Sequence, residues 1–338
     1  MSTYLFYIGI DVSKDSFDAA AFTSTSEAPF ALKDYSNDQA GIAQLHQHLS
    51  AKGITPQNAI ICIEATGAYS ELLCYQLHKL GYPLCLEAPL KVKRAFDIKA
   101  HKTDPLDALK IAEYAFRFCD RMTRWSPKPK LIKYLDSWLT LREQLVKQQT
   151  AISNFNQAIT TKIDSDPLAI QMAQQVFQFL QECLQQIQQR IEALIQQDAQ
   201  LSQQVETLDA IDGFGKLTAV NLVALMTQYP TLKQYPKAAS YIGICPYKRL
   251  SGKSVRKSAK ISHLGPPRIR KLLHLCARSV CQHKKPYKQY YQRKLAEGKP
   301  PKLIINNVAN KLLRVACTLM NSNKQYIPNY VSINPKFT

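Results

Sequence analysis

No apolar run in the 338 residues approaches the length of a bilayer span, so a membrane-embedded function is set aside. Binding to a membrane surface would call for a basic amphipathic helix or a lipidation signal. The opening Met-Ser-Thr-Tyr-Leu-Phe-Tyr lacks the charged n-region of a secretory signal, and a cytoplasmic location is expected. A paired cysteine framework is also missing. Cys62, Cys74, Cys85, Cys119, Cys183 and Cys245 stand singly in apolar runs, which fits small core residues in a reducing compartment. His274-Leu-Cys276 and Cys281-Gln-His283 are the one cluster of zinc-ligand types, but positions two apart on a helix face different ways and do not form a tetrahedron. Acid is the last scarcity: Tyr247 to Lys302 holds seventeen Lys and Arg against Glu297 alone.

What is present is positive charge in a chain able to fold. The formal net charge is +19, and 46% hydrophobic content supplies a packed core over two folded units and a connector. Such charge favours a polyanionic partner, nucleic acid first, because each neutralised phosphate releases counterions. The charge is localised, since residues 1 to 107 carry twelve acids and nine bases.

Hydrophobic patterning predicts strands at Tyr4 to Val12, Phe17 to Thr23 and Phe30 to Tyr35, then a helix from Asn37 to Lys52 closed by Gly53. A buried strand from Ala59 to Glu64, a helix from Ala68 to Leu80, a strand from Pro83 to Glu87 and a helix from Asp104 to Arg117 follow. This is an α/β layout. From Leu131 to Leu208 the chain becomes Gln-rich helix. Leu180, Leu184, Ile187, Ile191, Leu194, Leu201, Val205 and Leu208 space as a coiled-coil seam, interrupted at Asp198, where a polar residue could set register or partner number. A preceding helix with Leu131, Leu135, Trp138, Leu145 and Ile152 allows either an intramolecular hairpin, bent at Asp164-Ser-Asp-Pro167, or an intermolecular bundle. Ile211-Asp-Gly-Phe-Gly215 then reads as a helix-hairpin-helix, whose Gly213, Gly215 and Lys216 could approach a phosphate.

Two groups of residues could carry chemistry. Asp11 and Glu64 close apolar strands, and Asp104 and Asp107 open a helix three positions apart, on one face. Such acids can hold two divalent cations for phosphoryl transfer, and oxygen ligands suit Mg2+ or Mn2+. Capping is the plainer role for Asp104 and Asp107, and Asp15 and Asp18 read as solvated turn residues. The second group is Ser251 and Ser254, flanking Gly252 among Lys248, Arg249, Lys253, Arg256 and Lys257. Either hydroxyl could attack a phosphate if activated, or merely bind one. Arg268, Arg270 and Lys271 read as phosphate contacts at a helix start, and Tyr287, Tyr290 and Tyr291 as base-stacking or core residues.

Taken in order, Gly9-Ile-Asp11-Val-Ser-Lys14, Ile61-Cys-Ile-Glu64-Ala-Thr-Gly67, Lys102-Thr-Asp104-Pro-Leu-Asp107, Ile211-Asp-Gly-Phe-Gly215, Tyr241-Ile-Gly-Ile-Cys-Pro246, Leu250-Ser-Gly-Lys-Ser254 and Ile261-Ser-His-Leu-Gly265 resemble the DEDD transposases of bacterial insertion sequences. That family is akin to the Piv DNA invertases and includes bridge-RNA-guided recombinases. The resemblance spans nearly the whole chain. It implies a RuvC-like (RNase H-fold) domain at 1–125 whose Asp11, Glu64, Asp104 and Asp107 hold Mg2+. It further implies a coiled-coil oligomerisation segment at 126–206 and a mainly helical transposase domain at 207–338. There Ser251, by motif position, attacks a DNA phosphodiester to give a covalent phosphoserine. Implied partners are target and donor double-stranded DNA, a structured noncoding RNA and further copies of the chain, as a dimer or tetramer. Pro266 after Gly265 departs from the family's usual small polar residue. The competing readings are a RuvC-like junction nuclease using water, and a non-catalytic nucleic-acid-binding protein.

Overall fold

A central strand buried on both faces organises the first half of the chain. The computed structural model describes residues 4–25, 28–96, 104–251, 255–261, 265–322 and 324–328, with the backbone only at 104–105, 246–251 and 255–261. The chain divides into two compact units, Met1–Pro127 and Lys128–Thr338.

In the first unit, β1 (Phe6–Val12), β2 (Ser16–Thr23), β3 (Phe30–Ser36), β4 (Ala59–Glu64) and β5 (Leu84–Glu87) form one sheet in the order β3-β2-β1-β4-β5. The β1–β2 and β2–β3 pairs are antiparallel, and β4 and β5 run parallel to β1. Alternation along β1 sends Ile8, Ile10 and Val12 to one face, where they meet α1 (Gln39–Ala51) and α2 (Glu71–Lys79) through Ile42, Leu45, Leu49, Leu73 and Leu77. Tyr7 and Gly9 turn to the other face, under α4 (Asp104–Arg117). Asp38 caps α1 by accepting from the Gly41 N–H, and a short 3-10 turn at Gly67–Ser70 precedes α2, so that helix starts later than the sequence pattern suggests. Between β5 and α4 lies α3 (Pro89–Ala95), anchored by buried Val92. The outer edge of β5 is met by an antiparallel bridge from Arg124 to Cys85, and the Trp125 N–H donates to the Leu84 carbonyl at 2.8 Å.

Among its described residues the second unit is helical apart from one ribbon. α5 (Lys130–Thr160) and α6 (Pro167–Gln196) pack on each other, with the bend at 161–166 where Asp164 takes a left-handed φ of 58° and Asp166 caps α6. The apolar seam is therefore used within the chain: Leu180, Ile187, Ile191 and Leu194 are buried, and Leu184 partly so. Asp198 does not set a register. α6 ends at Gln196, and the Asp198 carboxylate accepts from the Leu201 N–H at 2.9 Å as the N-cap of α7 (Ala199–Asp209), because a short side chain there satisfies a free helix-start donor. α8 (Lys216–Gln228), α9 (Tyr235–Ile242), α10 (Pro267–His283), α11 (Lys285–Ala296) and α12 (Pro301–Ser322) complete the unit. Ile132, Leu135, Leu139, Ile191 and Leu194 share one core with Leu222, Leu273 and Leu312, so the bases of the long helices belong to the same packed body as the terminal helices. β6 (Pro246–Ser251) and β7 (Val255–Ile261) form a separate two-stranded antiparallel ribbon.

Candidate active site

The register of the first sheet assembles more acid than the sequence motifs suggest. Asp11 on β1 pairs directly with Asp18 on β2, and Asp18 with Asp34 on β3. On the other side Ile10 pairs with Ile63, which sets Asp11 beside Glu64, and Glu64 pairs with Glu87 on β5. Register partners share a face, so one row of five carboxylates crosses all five strands on the side covered by α4. Like charges opposite each other weaken a sheet. A cation bound along the row would offset that repulsion. Asp18 is thus a strand residue, not a turn residue: β2 begins at Ser16, and the turn is confined to the residues around Ser13, whose hydroxyl donates to the Ser16 carbonyl.

α4 delivers the remaining acids. Its Phe116 ring meets Tyr7 edge-on with centroids 5.2 Å apart, and its Ala108 and Ala112 lie over Gly9, so the helix runs antiparallel to β1 and its N-terminal end points to the acid row. The approach at Gly9 is close enough that a β-carbon there would sit 2.5 Å from the Ala108 carbonyl oxygen and 2.7 Å from Cα of Ala112. Asp107, with a side chain 22% exposed, accepts from Lys110 at 2.9 Å. Asp104 opens the helix, and its side chain lies outside the described atoms. Among the described residues no three His, Cys, Asp or Glu side chains already close around one point. The donor set, carboxylate oxygens at the C-terminal edge of parallel strands beneath a helix start, is nevertheless the hard, anionic kind that Mg2+ or Mn2+ takes. The buried thiols Cys62 and Cys85, register partners just behind Glu64 and Glu87, are held protonated: burial foremost pushes Cys62 well up and Cys85 to about 11.

In the second unit Ser251 is the last residue of β6, pairing with Val255, so it stands where the ribbon turns. Arg249 and Lys257 are register partners, and Lys248 and Arg256 belong to the same ribbon. Lys253 and Ser254 lie outside the described residues. The residues flanking the ribbon have divided roles. Arg268 donates to Asp136 at 3.1 Å and to Thr140 at 3.2 Å, tying α10 to α5, and Arg270 donates to the Ile242 carbonyl at 3.0 Å. Both guanidinium groups are thus engaged inside the unit, while Lys271 is exposed. Gly265 fits against the Tyr241 and Ile242 backbone where no β-carbon could, and Pro266 serves as the N-cap position of α10.

The Ile211–Gly215 turn joins α7 to α8. Gly213 has φ of 79° and packs on Val280 of α10, which makes it a packing residue. Gly215 is open and exposed at the start of α8, and Lys216 lies 3.1 Å from Glu192. Asp212 takes Lys284 at 2.6 Å and the Tyr326 hydroxyl at 3.0 Å. Tyr287, Tyr290 and Tyr291 pack partly buried against the core.

Two family models match the chain, one described as a transposase of the DEDD IS110 type over residues 8–163 and one as "Transposase IS116/IS110/IS902 family" over residues 205–292. The first spans the acid row and α4, the second the ribbon and α10. The chain belongs to the IS110-type DEDD transposases. It is similar to the pilin gene-inverting protein of Moraxella lacunata, 26% identical over 328 residues that cover 95% of this chain and 97% of that one. The Moraxella bovis pilin gene-inverting protein is 25% identical over the same length. A Pseudomonas aeruginosa protein named "Probable family 20 transposase" is 25% identical over 301 residues, covering 80% of this chain and 86% of the relative. The transposase is accordingly a DNA-recombining enzyme. Among its described residues no helix is long and apolar enough to cross a membrane.

Proposed function

We propose that this transposase recombines DNA at specific sites through a covalent phosphoserine, with Ser251 as nucleophile and Asp11, Glu64, Asp104 and Asp107 as ligands for Mg2+ or Mn2+. The acid row beneath the start of α4 carries the reading, because a sheet that sets like charges side by side gains most from a bound divalent cation. When bound, the metal supplies charge stabilisation to the phosphoryl oxygens. The chain's own residues do the rest. The ribbon brings Ser251 into a segment where Lys248, Arg249, Arg256 and Lys257 neutralise the DNA backbone, with Lys253 two positions on in the sequence. The Ser251 Oγ forms a bond to phosphorus as the bond from phosphorus to one deoxyribose oxygen breaks, and the serine proton passes to a base. The released sugar hydroxyl conserves the chain end, and attack by a hydroxyl on the phosphoserine reseals a strand and returns the serine.

From the family resemblance we assign the functional state to a homo-oligomer, a dimer or tetramer. A structured noncoding RNA that pairs with target and donor DNA would supply the sequence reading, a role inferred from the family resemblance. Gly215 and Lys216 at the open start of α8, together with Lys271, are assigned to backbone phosphates.

The test is a denaturing gel for protein joined to labelled element-end DNA, with Mg2+ and the flanking noncoding RNA, comparing wild type, Ser251→Ala and Ser254→Ala. An adduct lost only in Ser251→Ala supports the mechanism. DNA cut without any adduct would replace it with a water-using nuclease.

A further inference from the structure

Glu87 is one of three members of the acid row, with Asp18 and Asp34, that the sequence motifs leave out, and it is the one beside Glu64. Its side chain is only 3% exposed, at the end of β5, and its Oε2 lies 2.8 Å from Nζ of Lys91 in the first turn of α3. A buried carboxylate is costly, and an ion pair with a lysine that is itself 59% exposed offsets the cost incompletely. A carboxamide or an apolar residue would pack at that position with less penalty. The place of Glu87 relative to its neighbours gives the charge a use. It is the register partner of Glu64, and the ladder continues past both, the Ala65 N–H donating to the Glu87 carbonyl at 2.9 Å. The two side chains therefore leave the sheet on the same face, one strand apart.

We infer that Glu87 and Lys91 are a positioning pair that sets the divalent-cation affinity at the Glu64 end of the acid row. Glu87 adds negative potential behind Glu64 and braces the strand end, and Lys91 moderates that potential. Neither needs to touch the ion. The inference rests on the reading of Asp11, Glu64, Asp104 and Asp107 as metal ligands.

The opposite signs of the two charges make the idea testable. Binding of Mn2+ alone to the full chain is followed by loss of the free-ion electron paramagnetic resonance signal, for wild type, Glu87→Gln, Lys91→Met, the double variant and Asp11→Asn, with thermal melting recorded for each. Removing the carboxylate charge weakens Mn2+ binding about five- to tenfold, removing the ammonium tightens it about threefold, and the double variant returns close to wild type. A purely structural ion pair behaves differently, because breaking it from either side would loosen the same strand end and weaken binding in both variants. That result, or unchanged affinity in both, overturns the inference. Should Glu87→Gln fail to fold, Lys91→Met carries the test, since tighter binding is an outcome that a lost brace does not produce. Asp11→Asn separates the two layers of argument: if it binds Mn2+ as wild type does, the ligand reading itself is wrong, whatever Glu87 does.

Discussion

Replacing Gly9 by Ala is the perturbation that links the fold most directly to the chemistry. The new β-carbon would lie 2.5 Å from the Ala108 carbonyl oxygen, well inside an ordinary contact of about 3.4 Å, so α4 must lift by roughly 1 Å. All three atoms it meets, the Ala108 carbonyl oxygen and the N and Cα of Ala112, belong to helix backbone, which cannot rotate away as a flexible side chain would. Overpacking of this kind costs about 2–3 kcal/mol, equivalent to roughly 10 °C in the melting of a unit this size. The lift carries Asp107 with it, and a misplacement of about 1 Å at a reacting centre costs about a hundredfold in rate. The chain has two tryptophans, and in a Trp138→Phe background Trp125, packed edge-on against Tyr75 at 5.2 Å, reports the first unit alone. The expected result is an earlier Trp125 transition and strand cleavage reduced about a hundredfold, with DNA affinity held by the second unit. A Gly9→Ala protein that melts and cleaves like wild type would refute the claim that this contact sets the acid geometry.

Three further outcomes follow from other contacts. Asp198→Ala removes the cap from the Leu201 N–H and lowers stability by about 1 kcal/mol in urea unfolding, with no change in oligomer number by light scattering. Arg268→Ala lowers the melting temperature by loosening α10 from α5, whereas Lys271→Ala leaves melting unchanged and reduces the slope of log affinity against log salt by about 1. Burial first, and then the hydrogen bond to Asp212, raise the Tyr326 hydroxyl to about 12. Its stabilising effect is therefore complete below about pH 10, where the unfolded tyrosine is still neutral, and is lost as pH climbs through 12. Urea midpoints between pH 8 and 11.5 should fall on the alkaline side, and Tyr326→Phe should flatten that fall.

The order of strands and helices in the first unit was legible because each segment carries its own period. Ile8 and Ile10 alternate with Tyr7 and Gly9, and the helix from Asp104 starts at the Asp-Pro pair that the motif predicts. The acid row was only half legible. Asp11 and Glu64 stand at strand ends in the sequence itself, but Asp18 and Glu87 become their neighbours only through register, which depends on turns and on partner strands. Lys91 four residues after Glu87 was the one local hint of a paired buried acid. The seam of α6 was legible as a seam but not by its partner, since its spacing fits a helix on the same chain as well as one on a second copy, and α5 supplies the former. Arg268 and Arg270 looked like phosphate ligands because basic composition does not reveal that Asp136 and the Ile242 carbonyl lie within reach.

The bridge from Arg124 to Cys85 has a bearing on how the protein behaves before it ever meets DNA. β5 is one of the two edge strands of the sheet, four residues long and apolar at Leu84 and Cys85, the kind of edge on which a second chain can template itself during synthesis. By laying Arg124 and Trp125 along it just before the first unit ends at Pro127, the chain covers that edge with its own continuation. A ribosome-bound fragment stopped short of Trp125 would leave the edge bare. Shielding of that edge thus rests on two residues, Arg124 and Trp125, that lie outside the acid row.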